Sequence, residues 1–261
     1  MPQIKQGNPK LFKVMPFNDA FLTYSASGNT ISLSTYVRDL GIRVDNRLDW
    51  RTQIVNVTSK AKLMCGWFLS VFHTRYRHTL LLLFNSLVRS RLEYCDVVWN
   101  PFLLKDINKI ESVQRYLTSR IKGMQDLDYW QRLKKLNIMS FQRRRERNII
   151  IYLWRIKNNV IPNCFEINFK ENKRFGADKA VVKPLPRIKG RVLSVYDGSF
   201  PVMSARLWNM LPGKITKIKS LESFKSALDE FLILVPDEPP LPGYPARSNN
   251  SLVKQCLSLN V

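Results

Sequence analysis

The densest run of one chemistry in this chain is Arg143-Arg144-Arg145, followed by Glu146 and Arg147. A guanidinium is a planar fork of N–H donors that grips phosphate oxygens two at a time, so the run fits phosphate contact. On a helix these four side chains spread over more than half of the circumference, which leaves at least one or two facing solvent or a partner. Two other readings stand beside this one: a solvated face partly neutralised by Glu146 and Asp126, and a nuclear-entry signal. Lys60, Lys62, Arg115, Arg120 and Lys122 are further candidate phosphate contacts by charge and periodicity. His73 and His78 have no cysteine or carboxylate at ligand spacing, which argues against zinc. Cys65, Cys95, Cys164 and Cys256 form no close pair and read as reduced thiols. Trp67, Trp99, Trp130, Trp154 and Trp208 could serve as base-stacking platforms, but their place on apolar stripes favours core packing.

The charge balance points the same way as the arginines. A formal net charge of +22, from 42 Lys+Arg against 20 Asp+Glu, exceeds what solubility needs and calls for a polyanionic partner: RNA, DNA or an RNA–DNA hybrid. The excess is concentrated, because residues 51–160 alone carry 21 basic and 7 acidic side chains. A ribosomal-type or merely solvated basic surface is the plainer alternative. With 45% hydrophobic residues the chain can build a real core, which excludes a disordered protein. The apolar runs Leu80–Phe84 and Ile149–Trp154 are far too short to cross a bilayer. No signal peptide precedes them, so the expected location is intracellular, nuclear or cytoplasmic, with no membrane partner.

The elements that would hold these residues are mainly helical. Residues 11–45 read as short antiparallel strands, Leu11–Met15, Phe21–Tyr24, Thr30–Leu33 and Val37–Val44, with a tight turn at Ser27-Gly28-Asn29. From Asp49 the period lengthens, and Ile54, Val57, Ala61, Met64, Phe68 and Phe72 line one helix face while Arg51, Lys60 and Lys62 turn away. The next helix, Arg77–Tyr94, is apolar nearly all round and is expected to be the central, most buried one. Further helices are expected over Lys105–Ile121 with Gly123 as the stop, Leu127–Leu136, and Ser140–Asn158 with Ser140 as N-cap. After Pro162 the pattern weakens, with a possible strand at Arg191–Tyr196 and helices over Val202–Met210 and Leu221–Leu234, the latter capped by Ser220. The expected organisation is a β remnant over 1–48, a basic helical domain over 49–160, an α-rich region of small mixed character over 161–235 and a disordered tail over 236–261.

A string of ordered motifs runs through this frame. It comprises Asp39–Trp50; Lys60-Ala61 with Gly66; Phe84–Arg89 with Leu92-Glu93-Tyr94 and Val98-Trp99-Asn100-Pro101; and Glu111 to Arg115 with Thr118, Ile121 and Gly123. It continues with Tyr129, Arg132-Leu133, Leu136, Ser140 and Arg144-Arg145, and ends with Arg206–Pro212 and Phe224-Lys225 with Leu228. Over residues 37–232 this order resembles the end of the palm, the thumb and the following region of jockey-like non-LTR retrotransposon reverse transcriptases. The resemblance implies a short β remnant followed by a helical thumb-like bundle. For the whole family protein it implies RNA-directed DNA synthesis, with the thumb holding the template–primer duplex by its backbone.

The same resemblance marks what this chain lacks. Nucleotidyl transfer needs paired carboxylates for two Mg²⁺ ions, which the family carries on an aromatic-Ala-Asp-Asp hairpin and an earlier strand. There is no Asp-Asp pair in this sequence, and the family's order would put that hairpin, the fingers and most of the palm before Met1. Within Asn8-Pro9-Lys10-Leu11-Phe12-Lys13, Lys10 or Lys13 would have to stand for the family lysine held to protonate pyrophosphate. Among the readings of the whole, the first is a fragment that binds template–primer nucleic acid without polymerising, needs no cofactor of its own, and belongs with the missing palm and fingers. A domesticated nucleic-acid-binding or scaffold protein, or a truncated remnant without function, are the alternatives.

Overall fold

A computed structural model describes residues 13–14, 25–26, 29–30, 32–46, 48, 50–101, 103–172, 177–182, 196–237 and 251–258. The chain divides into two compact units, residues 1–56 and 57–261, whereas the sequence reading places boundaries at 48, 160 and 235. The described residues are mainly helical, with strands confined to two-residue to five-residue pieces.

In the first unit, β2 (Ser25–Ala26) pairs antiparallel with β3 (Asn29–Thr30), and β5 (Tyr36–Asp39) with β6 (Ile42–Asp45). β1 (Lys13–Val14) pairs with β4 (Ser32–Leu33) in parallel, against the all-antiparallel expectation. The expected strand Phe21–Tyr24 lies outside the described residues. The expected strand Val37–Val44 is instead a hairpin, because the backbone reverses at Leu40 (φ 43°) and Gly41 (φ 88°). A two-residue hairpin loop needs positive φ at both positions, and leucine in the first is a poor advertisement for one. The Gln53 side chain then accepts a 2.9 Å bond from the Arg43 N–H, tying β6 to the first turn of α1 (Arg51–Val71).

The second unit begins within α1, where Ala61 and Phe68 are buried as the spacing predicts, while Val57 and Met64 are half-buried, Phe72 is exposed and Cys65 is buried outside the expected stripe. Residues 77–92 are continuously helical but not uniform: α2 (Arg77–Leu83) passes through a π-wound segment, Phe84–Arg89, into α3 (Ser90–Leu92). Its buried positions, Leu80, Phe84, Val88 and Leu92, are four apart. In a regular α-helix each four-residue step drifts by about 40°, and the wider π turn takes that drift back. This helix is not the central one: Leu82 is 59% exposed, because only the one stripe meets the core.

The central position belongs to α6 (Phe141–Lys157), which buries ten of its residues. Before it come α4 (Leu104–Thr118) and α5 (Tyr129–Leu136). Asp128 starts α5 with a capping box shared with Gln131, and Ser140 caps α6 by accepting from the Arg143 N–H. After α6 a hairpin of β7 (Asn168–Asn172) and β8 (Ala177–Val181) precedes α7 (Phe200–Trp208), α8 (Gly213–Thr216) and α9 (Leu221–Leu234). Ser220 precedes α9 without a side-chain cap bond. Trp208 stacks on Phe224 with centroids 6.0 Å apart, and Phe224 on Trp154 at 5.5 Å. The next residue, Asn209, clamps β8 through both the N–H and the carbonyl of Ala180 at 2.9 and 3.0 Å. One apolar cluster therefore runs from Ile149 to Cys256, across the expected boundaries at 160 and 235. The expected strand at Arg191–Tyr196 falls on residues 191–195, outside the described ones.

The tail needs correction as well. Residues 238–250 lie outside the described residues, but Leu252–Ser258 forms a helix, α10, with Leu252 and Cys256 buried. The N–H of Leu252 donates to both oxygens of the Glu146 carboxylate, at 3.1 and 3.0 Å. The proline content of the preceding stretch hid this short amphipathic segment from a compositional reading. Leu252→Ala is expected to lower unfolding free energy in urea by about 3 kcal/mol, the usual cost of emptying a leucine site. A loss under about 0.5 kcal/mol, typical of surface positions, would return the segment to the tail.

Candidate nucleic-acid interface

The basic run on α6 is occupied from within. Arg143 is fully buried and donates to the carbonyls of Val235 (3.4 Å) and Pro236 (2.9 Å), with Glu146 3.6 Å from its Nε. Arg145, also buried, donates to the carbonyls of Trp99 (3.3 Å) and Leu92 (3.1 Å) and lies 4.1 Å from the centroid of the Trp99 ring. Its burial pushes the guanidinium down to about 10, with Asp96 and Glu93 acting in the opposite direction. Arg144 forms a two-pronged pair with Glu93, and Arg147 one with Asp229. Of the four arginines expected to reach for phosphate, Arg143 and Arg145 are thus enclosed and meet main-chain carbonyls, while Arg144 and Arg147 are partly exposed and each paired with a carboxylate. Glu146, a neutralising charge in the alternative reading of a solvated face, is buried and accepts from the Leu252 N–H at the start of α10.

Two carboxyls in this interior carry raised pKa values. Burial pushes Glu111 up to about 7, opposed by hydrogen bonds from Tyr129 and Phe141. Burial also lifts Glu146 to about 7, opposed by Arg143 and the Leu252 N–H. Each binds its proton more tightly in the folded chain than in the unfolded one, so its stabilising contribution is complete below about pH 4.5 and is lost as pH rises through about 7. The chain is expected to unfold at lower urea concentration at pH 8 than at pH 5, and Glu146→Gln to flatten that dependence. A urea midpoint that rises over this range would contradict the assignment.

The other five candidate cations are all exposed. Lys60 and Lys62 lie on the solvent side of α1, and Arg115, Arg120 and Lys122 on and after the last turn of α4. The structure joins the last three to residues that the sequence reading passed over. The Lys122 N–H donates to the Arg75 carbonyl at 2.9 Å, bringing the α1–α2 connection against the turn after α4. Arg75 itself caps α1 by donating to the carbonyls of Leu69 (2.6 Å) and Phe72. Arg77 donates to the Leu136 carbonyl at 2.7 Å and Lys135 to the Gly123 carbonyl at 3.4 Å, which adds the end of α5 to the same surface. Gly123 (φ 76°) supplies the left-handed turn between Lys122 and α5.

A buried polar network fixes this surface from below. Gln114 donates to Tyr129 Oη (3.2 Å) and to the Met139 carbonyl (3.0 Å), while Tyr129 Oη donates to Glu111. Glu111 also accepts from the Phe141 N–H at 3.1 Å, so α4, α5 and α6 share one carboxylate. Arg132 donates to Thr118 Oγ1 (3.2 Å) and to the Leu127 carbonyl (2.9 Å) beneath the turn. Above it, Arg115 lies 4.8 Å from the Tyr129 ring, Arg120 5.4 Å from the Tyr116 ring and Lys122 5.9 Å from the Tyr76 ring. Among the described residues no carboxylate forms an ion pair with Arg75, Arg115, Arg120, Lys122 or Lys135. Asp126 is exposed nearby, and Asp128 is engaged as the N-cap of α5. Arg75-Tyr76-Arg77, flanked by His73 and His78 in a connection between helices, was the sequence signal for this patch.

Of the tryptophans, Trp99, Trp154 and Trp208 are buried as expected, Trp130 is half-buried and Trp67 is 55% exposed. Among the described residues no three His, Cys, Asp or Glu side chains gather where they could hold a metal ion. No described helix is long and apolar enough to cross a membrane. Comparison with protein-family models, curated proteins and solved structures finds no match to this chain. Because Arg145 is encased, Arg145→Met is expected to cost roughly 3 kcal/mol of stability through the unpaired Leu92 and Trp99 carbonyls and the emptied Trp99 face. Equilibrium unfolding checks this, and a variant as stable as the parent would contradict the burial.

Proposed function

We propose that this chain is a nucleic-acid-binding module, resembling the thumb and following region of a jockey-like reverse transcriptase, that grips a phosphate backbone and does not polymerise. The observation that carries the reading is the exposed cluster of Arg115, Arg120, Lys122 and Lys135, gathered on the ends of α4 and α5 and the turn between them and free of ion-paired carboxylates among the described residues. Cations held by backbone bonds on a rigid helical base track phosphates without reading bases, which is the recognition expected of a thumb. Lys60 and Lys62 on α1 would extend the same basic field. The template–primer, as RNA, DNA or an RNA–DNA hybrid, is the proposed partner. The sequence has no Asp-Asp pair to hold the two Mg²⁺ ions of the family enzyme, so no catalytic step is assigned to this chain.

The test is binding of a labelled RNA–DNA hybrid across a salt series, for the parent chain and for Arg115→Ala/Arg120→Ala/Lys122→Ala. Affinity of the parent falls steeply with salt, and the triple variant is expected to flatten the log–log slope by roughly two to three. A parent that binds without salt dependence, or a variant with an unaltered slope, would contradict the reading. Incorporation of labelled nucleotide by the purified chain would contradict the absence of polymerisation.

A further inference from the structure

Two tyrosines stand in solvent on the basic surface. Tyr76 is 60% exposed at the start of α2, and Tyr116 is 37% exposed on the last turn of α4. Neither phenol hydroxyl bonds a described residue. The contrast with Tyr129 is direct: that ring is buried and its hydroxyl is committed to Glu111 and Gln114. Tyr76 stands mostly in water and contributes little to packing, and Tyr116, though more than half covered, keeps part of its ring open to solvent. Each ring has a cation beside it from one turn, Lys122 at Tyr76 and Arg120 at Tyr116. The backbone bond from Lys122 to Arg75 holds the Tyr76 end of the α1–α2 connection against that turn.

We infer that this surface takes unpaired nucleotides: bases stack on Tyr76 and Tyr116, and the phosphates between them lie on Lys122 and Arg120. The inference rests on the reading of this face as a nucleic-acid interface and goes one step further, from backbone grip to single-strand preference. A duplex shows its phosphates but keeps its base faces stacked on one another, whereas a single strand has free π-faces to offer. Rings with an adjacent cation suit such a strand, because one short stretch of protein then meets both the base and the phosphate of a nucleotide. Sequence preference is not expected, since every base has a face to stack. Asp126 and Asp128, both exposed in the same connection, would border the strand, Asp128 with its carboxylate engaged as the N-cap of α5.

The test compares the full chain's affinity for a single-stranded oligonucleotide and for a duplex of the same length, each as RNA and as DNA, at one fixed salt concentration. The single strand is expected to bind more tightly, with the RNA and DNA arms showing whether the sugar matters. Tyr76→Leu and Tyr116→Leu should each weaken the single strand by roughly tenfold while leaving the duplex within about twofold, and the Phe variants should retain binding. Leucine variants that weaken both ligands alike, or neither, would overturn the stacking inference while leaving salt-dependent binding intact. Absence of salt-dependent binding to any of the four ligands would overturn the interface reading itself, and the inference with it.

Discussion

Two guanidinium groups on α6, those of Arg143 and Arg145, lie out of reach of water. A buried cation has to be met by acceptors and opposite charge, or the surrounding structure gives way. The acceptors here are mostly main-chain carbonyls from distant parts of the chain: Leu92 and Trp99 for Arg145, Val235 and Pro236 for Arg143. Those bonds dictate that the end of α3, the loop before α4 and the chain leaving α9 all converge on one helix. Glu146 completes the arrangement by facing Arg143 on one side and receiving the Leu252 N–H on the other. Each partner satisfies a group that apolar packing alone would have left stranded, so polar bonds, and not only the Ile149–Trp154 run, set the architecture of the second unit.

With the α6 charges turned inward, the outward electrostatics fall to other elements. Arg115, Arg120 and Lys122 stay in water because their stretch of chain lies over the Glu111–Tyr129–Gln114 network, which occupies the space beneath. The same network joins α4 to α5 and α6, so the surface cations are carried on the part of the fold that the buried polar groups hold most firmly. The connection after α1 is drawn in by the Lys122–Arg75 bond. The proposed interface thus follows from how the core is closed: the ends of α4 and α5 and the turn between them keep their long basic side chains in solvent.

Much of this was legible from the residues. The helices over 104–118, 129–136, 141–157 and 221–234 follow from apolar stripes, and Ser140 acts where capping chemistry puts it, whereas α4 stops at Thr118 and Gly123 turns the chain five residues later. The failures have physical causes. Period alone does not say how many sides of a helix are covered, so the leucine-rich 77–92 stretch looked central and the arginine-rich α6 looked peripheral. Charge density does not reveal whether a partner is solvent or a carbonyl some ninety residues away, as for Arg143 and Pro236. The Leu40-Gly41 reversal was hidden because a leucine occupies a left-handed position, and α10 because prolines precede it. Several residues of the motif string meet in interior contacts, Glu93 with Arg144, Trp99 with Arg145 and Asn209 with Ala180, which explains their types without reference to a ligand. The surface tyrosines lay outside that string and were overlooked.

The central claim is a division of labour: the arginines of α6 build the interior and the turn after α4 meets the nucleic acid. Arginine and lysine labelling read by mass spectrometry, with and without bound oligonucleotide, tests both halves on one sample. The account predicts that Arg143 and Arg145 stay unlabelled in either state, while Arg115, Arg120 and Lys122 label freely and are protected by the oligonucleotide. Ready labelling of Arg143 and Arg145 that the oligonucleotide suppresses, with the α4 turn unaffected, would contradict it.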